Sequence, residues 1–378
     1  RALGVPGAEF RIGLAAHDFQ QAIGAPKVVL TRAIRNADSE TIPSRWLNRL
    51  TNLMQGLPDK SGPDALKAMR KRGAEWLAMS RALDLPDASL PPSPRPAPMP
   101  PLAARPRELP VTAMEQLIIN PYHVYARYIL GLQPLAPLRA QADARDRGMA
   151  VHKILEIFVK NRPDAEPRDA ARARLHDIAQ QVLAEEIPFP ATRALWLAKL
   201  MHVADFFLDI DQKHEGITLA VEKKGRFKLP DLDFTLTGTP DRIDRLPDGR
   251  VHLIDYKTGA APSKDEQAQH RKQLLFAAVM AEGGGFAELG PAQVAKISYI
   301  SLARGTKAVE TDVTEADLAA EAQILHDLVA AYLRPTTPYT ARRADFRADG
   351  DYDHLMRYGE WQTSDFAVTF PVGGADDQ

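Results

Sequence analysis

Residues 234–257, FTLTGTPDRIDRLPDGRVHLIDYK, decide the fold. Two apparent strands flank a turn at Leu246-Pro247-Asp248-Gly249. Alternate side chains of a strand share a face, so Val251, Leu253, Asp255 and Lys257 point one way. An apolar row thus runs into a carboxylate and an amine. Asp241 sits on the preceding strand, just after Pro240, and a hairpin brings it beside Asp255. Two carboxylates in one place repel each other, and each loses hydration. A bound divalent cation removes that conflict. Oxygen ligands without cysteine favour magnesium, with manganese as the substitute, over zinc. Such an ion polarises a phosphodiester and activates a water. Lys257 is placed to steady that water or the developing negative charge. Taken alone, Asp-x-Lys reads more plainly as an exposed hairpin with surface charges. The full run is far more specific: Gly-x-Pro-Asp-Arg-Ile-Asp, a turn, an apolar strand, then Asp-Tyr-Lys-Thr-Gly.

This run resembles the RecB-like branch of the PD-(D/E)XK nuclease superfamily, whose motif Pro240-Asp241 and Asp255-Tyr256-Lys257 spell out. The resemblance implies an α/β fold with a restriction-endonuclease-like core. Its parts are one helix, a three-stranded antiparallel portion, a second helix and a further strand, giving a mixed sheet flanked by helices. Residues 142–160 read as a helix with Gly148, His152, Leu155 and Val159 on one side. A lone histidine on such a face is usually a core residue. The resemblance makes His152 a metal ligand beside Asp241, Asp255 and the Tyr256 carbonyl. Gly148 permits close approach to the sheet or to a DNA backbone. A helix expected from about Asp265 to Met280 carries Gln273-Leu274. By the same resemblance Gln273 orients the site, against the alternative of a surface glutamine. The implied catalytic set is Asp241, Asp255, Lys257 and Gln273.

The composition neither excludes nor announces this chemistry. With 378 residues the chain is long enough for two or more domains. A net charge of −1 gives no global positive field, although a basic groove can exist on a neutral protein. No apolar run approaches the length of a membrane span. Without cysteine there are no disulfides, and no cysteine-held zinc or iron–sulfur cluster. Nothing resembles a signal peptide, so the expected location is the cytoplasm, beside a bacterial nucleoid. The chain opens at Arg1 rather than Met and reads as part of a longer protein.

Residues 1–83 are mostly helical in pattern, with a short apolar strand at 27–33 and a helical stretch at Trp46–Met54. Residues 84–110 read as a semi-rigid linker, because seven of the eleven residues from Pro91 to Pro101 are proline. A nuclease domain is expected over 111–334 and a C-terminal extension packing on it over 335–378. Thr112 and Glu115 form an apparent capping box. Tyr122 and Tyr125 read either as core or as platforms for bases. Residues 168–185 and 191–210 read as helices. Residues 217–229 read as one strand, with Glu222 either behind the metal ligands or solvated. Gly283-Gly284-Gly285 reads as a flexible break. A further strand is expected at 296–302 and a helix at 314–333. Arg226, Lys228 and Arg242, and the cluster Arg342, Arg343 and Arg347, are candidate phosphate contacts.

Leu30-Thr31-Arg32-Ala33 resembles the last motif of superfamily-one helicases, whose arginine meets a nucleotide phosphate; a solvated strand end is the plainer reading. No Gly-x-x-x-x-Gly-Lys-Ser/Thr loop is present, so this chain alone is not expected to hydrolyse ATP. Pro43-Ser44-Arg45-Trp46-Leu47, Asp351-Tyr352-Asp353-His354-Leu355 and Glu360-Trp361 complete a resemblance to the AddB family of AddAB helicase–nucleases. The first 83 residues then become the end of a helicase-like domain. The resemblance implies metal-dependent exonuclease cleavage of the 5′-ended single strand during recombinational repair of double-strand breaks. The implied partners are single-stranded or unwound DNA and an AddA-like helicase–nuclease subunit in a heterodimer, with no membrane. A non-catalytic DNA-binding scaffold is the alternative. Many AddB proteins hold an iron–sulfur cluster through cysteines. This chain has Asn120 where one of them belongs, so the cluster cannot form. Either packing replaces it, or a subgroup never had it.

Overall fold

The structure, a computed structural model, describes residues 8–37, 39–86, 88, 90–135, 138, 142–214, 216–343 and 350–373. The chain divides into two compact units, Arg1–Pro91 and Pro92–Gln378.

The first unit is helical: α1 (Ala8–Ile23), α2 (Arg45–Gln55) and α3 (Gly62–Asp84). Ser44 caps α2 by accepting the Leu47 N–H. The strand expected at 27–33 does not form, and residues 28–33 belong to neither helix nor strand. Among the described residues of this unit no strand is present to pair with it, and a strand without a neighbour leaves its backbone groups unsatisfied. Arg32 instead turns its guanidinium onto the Thr41 carbonyl, 3.3 Å away.

The second unit begins inside the proline-rich stretch, which corrects the expectation of a linker over 84–110. Arg95–Met99 is a strand, β1. After it come β2 (Glu108–Pro110), α4 (Val111–Ile119), α5 (Pro121–Val124) and a π-turn at Tyr125–Ile129. The spacing of the prolines explains the strand. In an extended chain the N–H and C=O of one residue point to the same edge, and successive residues alternate. Pro96 and Pro98 therefore share an edge that offers carbonyls but lacks donors. Tyr339 and Ala341 donate to those two carbonyls, both at 2.9 Å. The opposite edge pairs in parallel with a strand from the C-terminal end, in the register Arg95↔Ala367 to Met99↔Pro371.

The chain continues through α6 (Ala144–Lys160), α7 (Arg168–Glu186), α8 (Pro190–Lys213), β3 (Ile217–Val221), β4 (Gly225–Lys228), β5 (Thr235–Gly238), β6 (Arg242–Arg245) and β7 (Val251–Lys257). It ends with α9 (Lys264–Gln269), α10 (Gln273–Glu282), β8 (Val294–Ser301), β9 (Lys307–Asp312), α11 (Glu315–Tyr332) and β10 (Ala367–Pro371). A five-stranded mixed sheet has the order β3-β6-β7-β8-β9, with β7 and β8 parallel and the other pairs antiparallel. The expected core is thus present as α6, β3-β6-β7, α10 and β8. A smaller sheet has the order β2-β5-β4. The apolar alternation of β7 and β8 feeds two cores. Leu253, Ile297 and Tyr299 pack with α4, α10 and α11 on one face; Ile254, Tyr256 and Ile300 pack with α6, α7 and α8 on the other.

Four local expectations change. The strand expected over 217–229 breaks into β3 and β4 at Glu222, whose φ is 52°. The helix expected over 265–280 breaks at His270–Lys272, so Gln273 opens a new helix. Thr112 and Glu115 form no capping box, and α4 starts after Pro110 without a side-chain cap. Gly283 to Gly285 form a packed turn rather than a flexible break: a Cβ on Gly283 would fall 2.2 Å from the Phe227 ring.

The tail is tied back onto this unit. Tyr339, Tyr352, Met356 and Trp361 are buried in the core. Arg105, itself buried, donates to the carbonyls of Pro100, Tyr332, Arg334 and Pro335. Asn120 accepts from the Arg342 N–H at 3.1 Å. Among the described residues, no helix is long and apolar enough to cross a membrane.

Candidate active site

The β6–β7 hairpin forms in the register Arg242↔Ile254 to Arg245↔Val251. Asp241 lies just ahead of β6, beyond the last paired residue. Its Oδ2 accepts the Tyr256 N–H at 2.5 Å, taking the place of the missing strand partner. Tyr256 turns its ring against Phe207 on the α8 face. Its carbonyl lies on the same edge as its N–H, toward Asp241. Asp255 and Lys257 point to the opposite face, as the period of two requires.

Helix α6 meets this hairpin from the side. Arg147 Nη2 donates to the Thr258 carbonyl at 2.8 Å, which seats the helix on the end of β7. A Cβ on Gly148 would meet Thr258 Oγ1 at 3.7 Å, an ordinary contact, so close approach does not demand glycine there. One turn further on, His152 Nδ1 lies 3.1 Å from Asp241 Oδ1 and 3.5 Å from Glu222 Oε1. Glu222 reaches this point because its backbone is left-handed, at a cost of about 1 kcal/mol for a residue with a side chain. Its N–H donates to the Asp241 carbonyl at 3.0 Å. Burial opposes protonation of His152, but the two carboxylates overcome it and raise its pKa to about 10.

On the other side of Asp241 a closed ring of polar contacts forms. Lys257 Nζ lies 2.7 Å from Asp255 Oδ2 and donates to Gln273 Oε1 at 3.0 Å. Gln273 Nε2 donates to Asp255 Oδ1 at 2.8 Å. Asp255 is almost wholly buried, and burial pushes its pKa up against the pull of Lys257. Asp255 Oδ2 accepts no aligned hydrogen bond.

This donor set fits a divalent cation, which would replace the proton that Asp241 and Glu222 hold on His152. Ligand atoms of His152, Glu222 and Asp241 all lie within 4.8 Å of one another. Asp241 and Asp255 form a buried floor, whereas His152, Glu222 and Lys257 keep 27–30% of their side-chain surface open to solvent. Sequence reading left Glu222 undecided; the structure puts its carboxylate against His152. The one local signal was a glutamate followed by Lys223-Lys224-Gly225, where a strand pattern falters.

Several candidate DNA contacts are corrected. Arg242 is 1% exposed and cannot reach a phosphate. It bonds Asp244 through Nε at 2.8 Å and Asp211 through Nη1 at 2.7 Å. Arg162 also pairs with Asp211, and His214 Nε2 lies 2.7 Å from Asp244 Oδ2. Tyr122 and Tyr125 are each 6% exposed, and Tyr125 packs against Tyr339, so neither presents a face to a base. Arg226 is ion-paired with Glu108, and Arg343 lies 3.6 Å from Asp353. Lys228 and Arg342 are exposed. Arg347 lies outside the described residues.

The buried charge cluster makes acid stability predictable. His252 donates or accepts at Ser298 Oγ, 2.7 Å away, and its ring lies 5.1 Å from that of His214. Burial and the neighbouring His214 push its pKa down to about 3. An unfolded chain protonates this histidine near pH 6.5, whereas the folded chain does not. Stability should therefore fall as pH drops from about 6.5 toward 3, by up to about 1.4 kcal/mol per unit from this residue. Urea unfolding at pH 7, 6, 5 and 4 should show that slope reduced in His252→Gln. An unchanged slope contradicts the assignment.

A sequence model of the PD-(D/E)XK nuclease superfamily matches residues 108–348. Among curated proteins, an uncharacterized protein of Rickettsia conorii is 31% identical over 190 residues, covering 48% of this chain and 23% of that protein. An uncharacterized protein of Rickettsia typhi is 29% identical over 214 residues, covering 53% and 24%. An ATP-dependent helicase/deoxyribonuclease subunit of Streptococcus equi subsp. zooepidemicus is 28% identical over 157 residues, covering 41% and 14%. The chain thus spans about a quarter or less of the length of these relatives.

Proposed function

Because the chain belongs to the PD-(D/E)XK nuclease superfamily, we propose that it hydrolyses DNA with a divalent cation held by His152, Glu222, Asp241, Asp255 and the Tyr256 carbonyl. The observation that carries this reading is the meeting, on one hairpin edge, of a His–Glu–Asp cluster with a closed Asp–Lys–Gln ring. Magnesium, or manganese in its place, supplies a Lewis acid and a bound water of lowered pKa. The protein supplies the rest. Lys257, partly exposed beside Asp255, orients the attacking water and meets the negative charge that grows on the phosphate. Gln273 fixes the direction of the ammonium. The Asp241 carboxylate, held by the Tyr256 N–H, keeps the two halves of the site in register.

The finer reading is a 5′-strand exonuclease acting beside an AddA-like helicase–nuclease subunit in recombinational repair. Its support is the similarity to the streptococcal helicase/deoxyribonuclease subunit together with the tail motifs at 351–355 and 360–361. The test is digestion of single strands labelled at either end, with magnesium and with a chelator, alone and with the partner subunit. Chelator-sensitive release of short products from the 5′ end is expected. Chelator-resistant cleavage, or none with the partner present, contradicts the reading.

A further inference from the structure

Helix α10 begins at the residue that closes the polar ring, yet it has no local cap. Its N-cap position, Lys272, makes no side-chain capping bond. The first N–H groups of a helix need partners from elsewhere. Here the partners come from distant elements. The Gln273 N–H donates to Glu115 Oε1 on α4 at 2.8 Å, and the Leu274 N–H donates to the Tyr299 hydroxyl on β8 at 3.1 Å.

Both partners are buried, at 5% exposure for Glu115 and 1% for Tyr299. A carboxylate taken out of water is a costly partner for a helix start, and a serine at 272 would cap the Leu274 or Leu275 N–H but not that of Gln273. What Glu115 supplies in addition is position. It holds the backbone of Gln273 while leaving its amide free to span Lys257 and Asp255. It also places negative charge at the positive end of α10, and Arg271 Nη1 lies 3.7 Å from its other oxygen. Tyr299 acts twice, since its ring also lies 5.6 Å beneath the Lys257 ammonium.

We propose that Glu115 and Tyr299 are positioning residues of this site: they anchor the first turn of α10 so that Gln273 holds Lys257 in its working direction. This rests on the nuclease reading, with Glu115 acting through Gln273 and touching neither substrate nor cation.

The test is a double-mutant cycle read by single-strand cleavage. Glu115→Gln keeps an acceptor for the Gln273 N–H and should cleave within about threefold of the unaltered protein. Glu115→Asp is too short to reach, and Glu115→Met has no acceptor. Each should lower kcat by about 10- to 100-fold with KM unchanged. On a Gln273→Ala background the same changes should add almost nothing, because their effect passes through that side chain. Tyr299→Phe should behave like a milder Glu115→Met. Additive losses on the Gln273→Ala background, or a lower melting temperature with kcat intact, would overturn the proposal. If the unaltered protein cleaves no DNA even with the partner subunit, the nuclease reading fails instead. The brace is then judged by the side-chain amide signals of Gln273 in nitrogen-15 NMR. They should be dispersed in the unaltered protein and in Glu115→Gln, and collapse toward solvent values in Glu115→Asp. Signals unaffected in Glu115→Asp overturn it.

Discussion

Lys257→Ala should lower the single-turnover rate of DNA cleavage by about 10²- to 10³-fold, the loss that follows removal of one preorganised charge partner from a transition state. The protein should remain folded and still bind single strands. Lys257 is partly open to solvent, so its loss opens no closed cavity. Asp255 loses its counter-ion, but burial already favours its protonated form, and it answers by taking up a proton. One cation fewer changes DNA affinity only slightly. Lys257→Arg should recover little, because a planar guanidinium cannot place a compact charge between Asp255 Oδ2 and Gln273 Oε1. Rates measured with protein in excess, beside melting curves, check this. Cleavage within threefold of the unaltered protein would remove Lys257 from the chemistry.

Arg242→Met should have the opposite profile, costing about 3–5 kcal/mol of stability and leaving the DNA affinity of the folded protein unchanged. Asp211 and Asp244 are both buried. Burial raises the pKa of Asp244, but His214 and Arg242 outweigh it and hold the carboxyl down at about 2. Without the guanidinium, Asp211 is left with Arg162 and Asp244 with His214, and the two buried carboxylates lose the charge they share. Arg242→Met combined with Asp244→Leu should regain part of the loss, since removing a whole buried pair costs less than removing one member. Urea unfolding measures the stability, and fluorescence anisotropy with a labelled single strand measures the affinity. Weakened DNA binding with unchanged stability would restore Arg242 as a phosphate contact.

That reversal shows what sequence makes legible. The hairpin, His152 and Gln273 could be placed because strand and helix periods act over a few residues and the motif fixes their spacing. Arg242 was misplaced although Arg242 and Asp244, two apart on one strand, share a face and pair there. The partner that settles its burial, Asp211, comes from a helix about thirty residues earlier. Tyr122 and Tyr125 were ambiguous for the same reason, since Tyr125 packs against Tyr339 of the tail and Tyr122 against Tyr125. The proline run suggested a spacer because residue counts ignore edges. Its alternate spacing, with Pro96 and Pro98 on one side, was the visible sign of a strand. Glu222 was hard to place because a left-handed glutamate is a tertiary outcome: only His152 and Asp241, 70 residues before and 19 after, give it a reason. β9 escaped notice as an edge strand, with Val309 its one buried residue.

The proposed cation site draws His152 from α6, Glu222 from the end of β3, and Asp241 and Asp255 from the hairpin. Manganese binding, followed by electron paramagnetic resonance without DNA, tests it most directly. The unaltered protein should take up manganese at this site. Asp241→Asn, which removes the charge but keeps an acceptor for the Tyr256 N–H, should bind far more weakly while keeping its melting temperature within a few degrees. Equal uptake by the two proteins would contradict the account.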